Sequence, residues 1–222
     1  MTYQWLIDRT ASLLRSIPPA VTVVAAAKTR QSEEIKAVIA GGISHIGFNF
    51  VQEAARIKQE MGGQSTTWRM IGHLQRNKLR SAARIFDTLD TLDSYPLAAR
   101  LESHLALENR ILPVLIEVNS AREPNKSGVM PEDLIRLAEQ VSALPHLRLR
   151  GIMTMGPVVD DPQQLRPAFR LTSELFRELA RRNLPNAEII ELSMGMSDSF
   201  QIAIEEGATM VRIGTLLFGA RS

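Results

Sequence analysis

The feature of this sequence that most constrains its fold is an alternation of short apolar runs, rich in β-branched residues, with longer stretches of helical period. Eight such runs are predicted as strands, at Val21–Ala27, His45–Phe48, Trp68–Leu74, Ile85–Leu89, Leu112–Asn119, Leu149–Met155, Glu188–Ser193 and Met210–Gly214. Strands that alternate with helices lie parallel in a sheet that the helices cover. The alternation therefore predicts an α/β fold.

The intervening segments predict the covering helices, at Glu33–Ile39, Val51–Met61, Asn77–Ala82, Tyr95–Leu107, Glu132–Ala143, Arg166–Asn183 and Asp198–Glu206. A further helix-like stretch, Tyr3–Ser16, precedes the first strand. Eight parallel strands fit a closed barrel better than a doubly wound open sheet, which usually has fewer strands. We therefore predict a single domain over residues 1–222, a (β/α)8 TIM-type barrel. The extra N-terminal helix caps the barrel bottom or replaces a missing eighth helix.

Composition excludes several classes of function. The 26 Lys and Arg residues nearly balance the 24 Asp and Glu residues, and no basic run predicts a nucleic-acid surface. The chain has no cysteine, which excludes disulfides and thiolate chemistry, and its four histidines show no metal-ligand spacing. No apolar run is long enough for a membrane span, and no secretory signal is recognisable. We expect a cytoplasmic protein that binds neither nucleic acid nor membrane.

Candidate functional residues follow the predicted strands, because the active face of a β/α barrel lies at the C-terminal ends of its strands. These positions hold Lys28, Asn49, His73, Asp90, Asp93, Asn119, Thr154, Met155, Ser193, Arg212, Gly214 and Thr215. The two aspartates are better explained as loop and helix-capping carboxylates. Among the histidines, only His73 is placed to face the pocket.

Two of the loops have the composition of a phosphate-binding site. Barrels often bind phosphate with the loops after strands seven and eight. The first of these loops, Ser193–Ser197, leads directly into a predicted helix, whose N-terminus offers free N–H groups and the positive end of a dipole. The second loop, Arg212–Thr215, adds a glycine and a hydroxyl. Taken singly, Ser197 could be a helix N-cap and Gly214 a packing glycine, but the pair of loops favours a phosphate site.

Lys28 follows the apolar run VTVVAAA, which predicts that its amine lies at the barrel mouth. Such an amine can act as a nucleophile toward aldehydes, and the alternative is a solvated loop lysine. A phosphate site beside an amine permits a sugar phosphate or a phosphorylated aldehyde, pyridoxal 5′-phosphate (PLP). Arg212 weakly favours PLP, since a cation beside the ligand ring can face the pyridine nitrogen.

Seven motifs resemble those of the pyridoxal phosphate homeostasis protein family, whose members are similar to the barrel domain of alanine racemase. They are AAAKTR around Lys28, NFVQEA from Asn49, IGHLQRNK from Ile71, NKSG from Asn125, RGIMTM from Arg150, LSMGMSDSF from Leu192 and VRIGTLLFG from Val211. The resemblance extends from Val21 to Arg221, and the last two motifs are highly specific at this separation. It implies a barrel like the N-terminal domain of alanine racemase.

The resemblance also implies roles for individual residues. Lys28 would form an imine with PLP, Asn49 would lie close to the cofactor, and Arg212 would face the pyridine nitrogen. The residues that would hold the phosphate are Ser193, Ser197, Gly214 and Thr215. Because a guanidinium stays protonated, Arg212 would disfavour a proton on the ring nitrogen and make the ring a weaker electron sink.

The chain departs from the family pattern at Phe48 and Phe50, where the family usually has Glu and Tyr, and at Arg69, where histidine is common. These changes predict fewer proton donors near the pocket. In alanine racemase one acid–base group comes from a second domain, which we expect this chain, ending at Ser222, to lack. The sequence therefore predicts a PLP carrier without turnover chemistry, a monomer with apo PLP-dependent enzymes as partners. The alternatives are a PLP-dependent racemase or similar barrel enzyme, and a phosphate-ligand enzyme unrelated to PLP.

Overall fold

Eight parallel strands close into a barrel in chain order in the computed structural model, which describes residues 3–62, 65–157, 159 and 161–219. The strands are β1 Thr22–Ala26, β2 His45–Phe48, β3 Thr67–Met70, β4 Thr88–Leu92, β5 Leu112–Glu117, β6 Leu147–Met153, β7 Ala187–Ser193 and β8 Met210–Ile213. The barrel closes where β8 pairs with β1, with Met210 opposite Thr22 and Ile213 opposite Ala25. The predicted (β/α)8 barrel is confirmed. Parts of the predicted domain, including Arg221, lie outside the described residues.

The helices surround the barrel. They are α1 Gln4–Ser16, α2 Ser32–Ala40, α3 Val51–Met61, α4 Leu79–Ile85, α5 Tyr95–Leu107, α6 Leu134–Ser142, α7 Arg166–Ala180, α8 Phe200–Glu205 and α9 Thr215–Phe218, with short 3-10 helices at Arg76–Lys78, Pro131–Asp133 and Pro162–Leu165. The extra helix α1 packs against α2 and α9. It therefore stands in the outer ring, where the four-residue α9 is too short to fill the eighth position. Within the part of the chain described, no helix has both the length and the apolar character needed to cross a membrane.

The third and fourth strands differ from their predicted bounds. β3 ends at Met70 rather than Leu74, and β4 begins at Thr88 rather than Ile85, which is the last residue of α4. A short apolar run fits a helix end as well as a strand, so local pattern cannot separate the two. The shift moves Asp90 into the middle of β4.

Side chains alternate along a strand, so the barrel has an outer face toward the helices and an inner face toward its axis. The inner face carries an apolar cluster of Val24, Ile71 and Met210. It also carries a buried ion-pair cluster centred on Arg69 of β3, between the outward-facing Trp68 and Met70.

Arg69 is 1% exposed and its partner Asp90 is fully buried. The Arg69 guanidinium donates from Nε to Asp90 at 2.8 Å and from Nη2 to Glu191 of β7 at 2.6 Å. Thr88 donates its hydroxyl to Asp90 at 2.9 Å. Burial alone lowers the pKa of Arg69, but the two carboxylates together raise it above its usual value. The prediction that Asp90 is a loop carboxylate is therefore wrong, because Asp90 is an internal counter-ion.

Candidate functional site

A cavity of about 790 Å³ opens at the C-terminal ends of the strands. We call it the Lys28 cavity. It brings together six of the seven predicted site residues, namely Lys28, Asn49, Ser197, Arg212, Gly214 and Thr215. The seventh, Ser193, is fully buried at the end of β7 and does not line the cavity. Residues from β8 and from the loops after β1, β2, β7 and β8 thus meet at one side of the barrel mouth.

Lys28 lies two residues beyond the last residue of β1, so the buried strand fixes where its side chain begins. Its Nζ lies 5.6 Å from the centroid of the Phe50 ring, which is 53% exposed at the rim of the mouth. Two residues further on, Arg30 donates from Nη2 to the carbonyl of Gly219 at 2.8 Å and stacks over the Phe218 ring. The loop that carries Lys28 is therefore tied to the end of α9, which follows the predicted phosphate loop.

Phe48 and Phe50 occupy different environments, although both depart from the family pattern. Phe48 is buried in the core between barrel and helices, where it stacks on Trp68 with ring centroids 5.1 Å apart. The expectation that Phe48 alters the pocket is therefore wrong, and only Phe50 contributes its ring to the mouth. Strand alternation explains the difference, because the last residue of β2 faces the helices.

Arg212 is a buried cation held by neutral groups. Its guanidinium donates from Nη1 to the hydroxyl of Ser193 at 2.7 Å and from Nη2 to the carbonyl of Thr154 at 2.8 Å. Met155 contributes its sulfur at 3.4 Å from Nη2. Burial lowers the pKa of Arg212 to about 10, against the opposing effect of Asp90 and Glu117. Arg212 makes no ion pair within the described residues, so its charge is available to a ligand in the cavity.

Ser197 joins the two predicted phosphate loops. Its Oγ accepts hydrogen bonds from the backbone N–H groups of Gly214 at 3.2 Å and Leu216 at 3.1 Å. It is not a helix N-cap, because α8 begins at Phe200 with Ser199 in the capping position. Since α8 has six residues and α9 has four, the expected helix-dipole contribution is small. The N–H groups of Gly214 and Leu216 already donate to Ser197, so the hydroxyls and the other loop N–H groups remain as candidates for binding an anion.

No close atomic contact within the protein requires a glycine at position 214. Its φ of −115° is open to any residue, and an added Cβ would meet nothing closer than the carbonyl oxygen of Ala26 at 3.5 Å. Every other glycine within the described ranges has either a positive φ or a Cβ contact shorter than 3.0 Å. The space beside Gly214 opens into the Lys28 cavity and leaves room for a ligand close to this backbone.

Sequence reasoning missed Glu117, the last residue of β5, because it extended that strand to Asn119. Glu117 is 6% exposed. Burial raises its pKa to about 7, with Asp93 adding to this effect and Arg212 opposing it. The sequence feature that could have drawn attention to it is a carboxylate at the end of an otherwise apolar run. Asn119 has a structural role, since its side-chain amide holds the backbone of Glu123 through two hydrogen bonds.

The remaining predicted positions lie around the mouth. Thr154 is buried below Arg212, and Met155 lines the cavity. His73, which was predicted to face the pocket, is exposed and lines a neighbouring cavity but not the Lys28 cavity. Asp93 follows β4, where it accepts a hydrogen bond from the Ser94 hydroxyl. Within the described ranges, no three His, Asp or Glu side chains form a metal site.

Comparisons with known proteins identify relatives. Residues 7–222 match the family model described as "Alanine racemase, N-terminal domain". The chain is 41% identical over 204 residues to the pyridoxal phosphate homeostasis protein of Haemophilus influenzae, an alignment that covers 91% of this chain and 86% of that protein. It is 40% identical over 208 residues to the protein of the same name from Escherichia coli K12, with 92% and 87% covered.

Solved structures with a similar fold include a protein that binds PLP and an alanine racemase. PipY of Synechococcus elongatus PCC7942 matches with a TM-score of 0.90 and 35% identity without PLP, and with 0.88 and 33% with PLP bound. Both comparisons cover 96% of this chain and 100% of PipY. Alanine racemase of Corynebacterium glutamicum shares the fold, with a TM-score of 0.80 and 17% identity over 98% of this chain and 62% of the racemase.

Proposed function

This chain belongs to the pyridoxal phosphate homeostasis protein family, whose barrel is that of the N-terminal domain of alanine racemase, and we propose that it carries PLP in the Lys28 cavity. The observation that supports this most directly is the meeting of an amine, a buried guanidinium and an open glycine loop in one cavity. In this proposal the chain is one PLP-binding domain, monomeric and cytoplasmic. Its partners are PLP and apo PLP-dependent enzymes.

The residues fit PLP in three places. Ser197, Gly214 and Thr215 offer hydroxyls, a backbone N–H and free space to a phosphate. Lys28 offers a primary amine for an imine, and Asn49 lies beside it on the cavity wall. PLP supplies an aldehyde carbon that condenses with amines and a ring that can act as an electron sink. Ser193 acts behind the cavity, where its hydroxyl holds Arg212.

The residues around Arg212 and Lys28 are poor in groups that could move a proton, which supports a carrier. The Arg212 guanidinium is fixed by Ser193 and Thr154, and it cannot accept a proton. A guanidinium that faces the pyridine nitrogen keeps that nitrogen unprotonated and so weakens the electron sink. Racemisation also needs a second acid–base group opposite Lys28, and the neighbouring Phe50 ring cannot move a proton. We therefore propose that this chain holds and releases PLP without a turnover reaction of its own.

A visible spectrum of the protein mixed with PLP, recorded before and after borohydride, tests the proposal. We expect an imine band that borohydride abolishes, with the reduced adduct mapped by mass spectrometry to Lys28. Lys28→Ala should lose the adduct and keep weak, phosphate-anchored binding. Lys78→Ala, which changes another lysine beside the mouth, is the matched control and should keep the adduct. An adduct on another lysine contradicts the assignment, and D-alanine formed from L-alanine contradicts the carrier function.

A further inference from the structure

A second cavity, of about 460 Å³, occupies the other side of the barrel mouth. We call it the Glu117 cavity. It is lined mainly by the ends of β3 to β6 and the loops that follow them. It shares wall residues with the Lys28 cavity, namely Asn49, Ile71, Met155, Met196 and Asp198. A molecule in the Glu117 cavity therefore lies next to whatever Lys28 holds.

Glu117 is a buried carboxylate that faces this cavity without a partner. It is more than nine-tenths buried, and its side chain makes no hydrogen bond or ion pair within the described ranges. The other carboxylates inside the barrel, Asp90 and Glu191, both bind Arg69. Burying a carboxylate without a partner costs free energy, and a ligand that satisfies it recovers that cost. The Glu117 oxygens are not among the fully buried polar atoms that lack a partner, so they are open to the cavity, where a donor or a cation can reach them.

The charge of the cavity favours a cation. The one lysine among the lining residues, Lys126, has its Nζ 2.6 Å from a carboxylate oxygen of Glu123 and donates to the carbonyl of Gly156 at 3.0 Å. Its charge is therefore already neutralised. Glu117 and Asp198 both contribute carboxylates to the lining. The same lining has an apolar part that suits an alkyl chain, formed by Pro157, Val159 and Leu165.

We propose that the Glu117 cavity binds a primary alkylammonium group and that Glu117 accepts its proton. An ammonium N–H bond breaks, the proton passes to a carboxylate oxygen of Glu117, and the electron pair stays on nitrogen. The inference rests on the proposed function, because an uncharged amine beside the Lys28 cavity is the species that can take PLP from Lys28. The substrate class of this site is therefore the acceptor amine.

The environment of Glu117 suits this role. Burial and Asp93 raise its pKa to about 7, whereas an ordinary carboxylate is a much weaker base. A proton acceptor works best when its pKa lies near the operating pH. Arg212 faces Glu117 from β8 and limits the shift, while Asp93 faces it from the end of β4. The carboxylate is thus ionised at mildly alkaline pH and still basic enough to accept a proton.

Calorimetric titration of the protein without PLP tests the site directly. The probes are n-butylammonium and Nα-acetyl-lysine N-methylamide, and their uncharged analogues are n-butanol and Nα-acetyl-norleucine N-methylamide. At pH 8 we expect each ammonium that binds to do so about tenfold or more tightly than its analogue. Glu117→Gln should abolish this preference. Glu174→Gln, which makes the same change on the exposed face of α7, should retain it.

The two amines distinguish the sources of the ligand. Binding of n-butylammonium alone indicates free small amines, and binding of both indicates that a lysine side chain of another protein is also accepted. Equal binding of charged and uncharged probes, or an unchanged preference in Glu117→Gln, overturns the proposal. PLP loading of Lys28 is measured separately by its spectrum. Ammonium binding without PLP loading therefore refutes only the proposed function, and PLP loading without ammonium binding refutes only this inference.

Discussion

The backbone N–H of Thr29 donates a hydrogen bond to Oε1 of Glu53 at 2.5 Å. Thr29 follows Lys28 and has a φ of 65°, in the left-handed region that β-branched residues rarely adopt. Its own hydroxyl donates to the carbonyl of Lys28 at 2.6 Å. Glu53 lies in the first turn of α3, so this contact ties the strained loop after β1 to the neighbouring helix. The hydrogen bond to Glu53 therefore holds Thr29 in its strained conformation, and this fixes the direction of the neighbouring Lys28 backbone.

Glu53→Ala should weaken PLP binding about tenfold, since the loop loses the acceptor that holds Thr29 in its strained conformation. The dissociation constant follows from spectral titration with PLP. Adding Thr29→Gly to Glu53→Ala should restore most of the affinity, because glycine adopts positive φ without strain. Glu60→Ala, at an exposed position of the same helix, serves as the control. Failure of Thr29→Gly to restore binding shows that Glu53 does not act through this backbone.

Gly214→Ala should weaken PLP binding by about tenfold or more and leave the fold intact, because the added methyl group enters the cavity and not the protein. Gly72→Ala should instead destabilise the fold itself, since its Cβ would lie 2.5 Å from the backbone oxygen of Asn49. Thermal unfolding without PLP, together with PLP titration, separates the two effects. A Gly214→Ala protein that binds PLP normally would place the phosphate elsewhere.

Asp90→Leu should lower the free energy of unfolding by about 3–5 kcal/mol, because it leaves the buried guanidinium of Arg69 short of a counter-ion. The double variant Arg69→Met with Asp90→Leu should be more stable than Asp90→Leu, since it removes the uncompensated buried cation and leaves Glu191, which is partly exposed, beside Arg150. Urea denaturation measures both. If the double variant is the less stable of the two, the uncompensated charge of Arg69 is not what destabilises Asp90→Leu.

Glu117→Gln should change how stability depends on pH. The pKa of Glu117 is raised from its usual value near 4.5 to about 7, so the folded protein binds a proton that the unfolded chain has released. Stability is therefore lost as pH rises from about 4.5 to 7, by up to about 3 kcal/mol. We expect Glu117→Gln to lack this loss. Its stability relative to the unsubstituted protein should therefore be higher at pH 8 than at pH 4.5. Urea denaturation at the two pH values, with Glu174→Gln as control, measures the difference.

The strand–helix alternation was sufficient to predict the barrel, because few folds other than a closed barrel accommodate eight parallel strands that are separated by helices. Helices α3 and α5 begin and end where they were predicted, since Gly62 follows the first and a proline starts the second. The predicted start of β4 at Ile85 was wrong, because the apolar pair Ile85–Phe86 at the end of α4 has the same local composition as the start of a strand. That single shift turned Asp90 from a core ion into a supposed loop residue.

The candidate site was predictable where strands end in the expected place. Lys28, Arg212 and Gly214 meet in one cavity because β1 and β8 are neighbours in the closed barrel. Glu117 was missed because its importance depends on burial and on the absence of a partner, which only the assembled barrel reveals. The sequence also did not show that the Phe48 side chain points toward the helices, because the direction of a strand's side chains depends on its register in the sheet.

The division of the mouth into two cavities separates two kinds of recognition. The Lys28 cavity is lined by β8 and the loops after β1, β2, β7 and β8, while the Glu117 cavity is lined mainly by the ends of β3 to β6 and the loops that follow them. Substitutions in the loops after β4 and β5 can therefore change which molecule approaches without disturbing the contacts around Gly214 and Ser197. In the proposed function, the molecule that enters the Glu117 cavity can therefore change while the PLP contacts stay the same, as long as the wall residues that the two cavities share are kept.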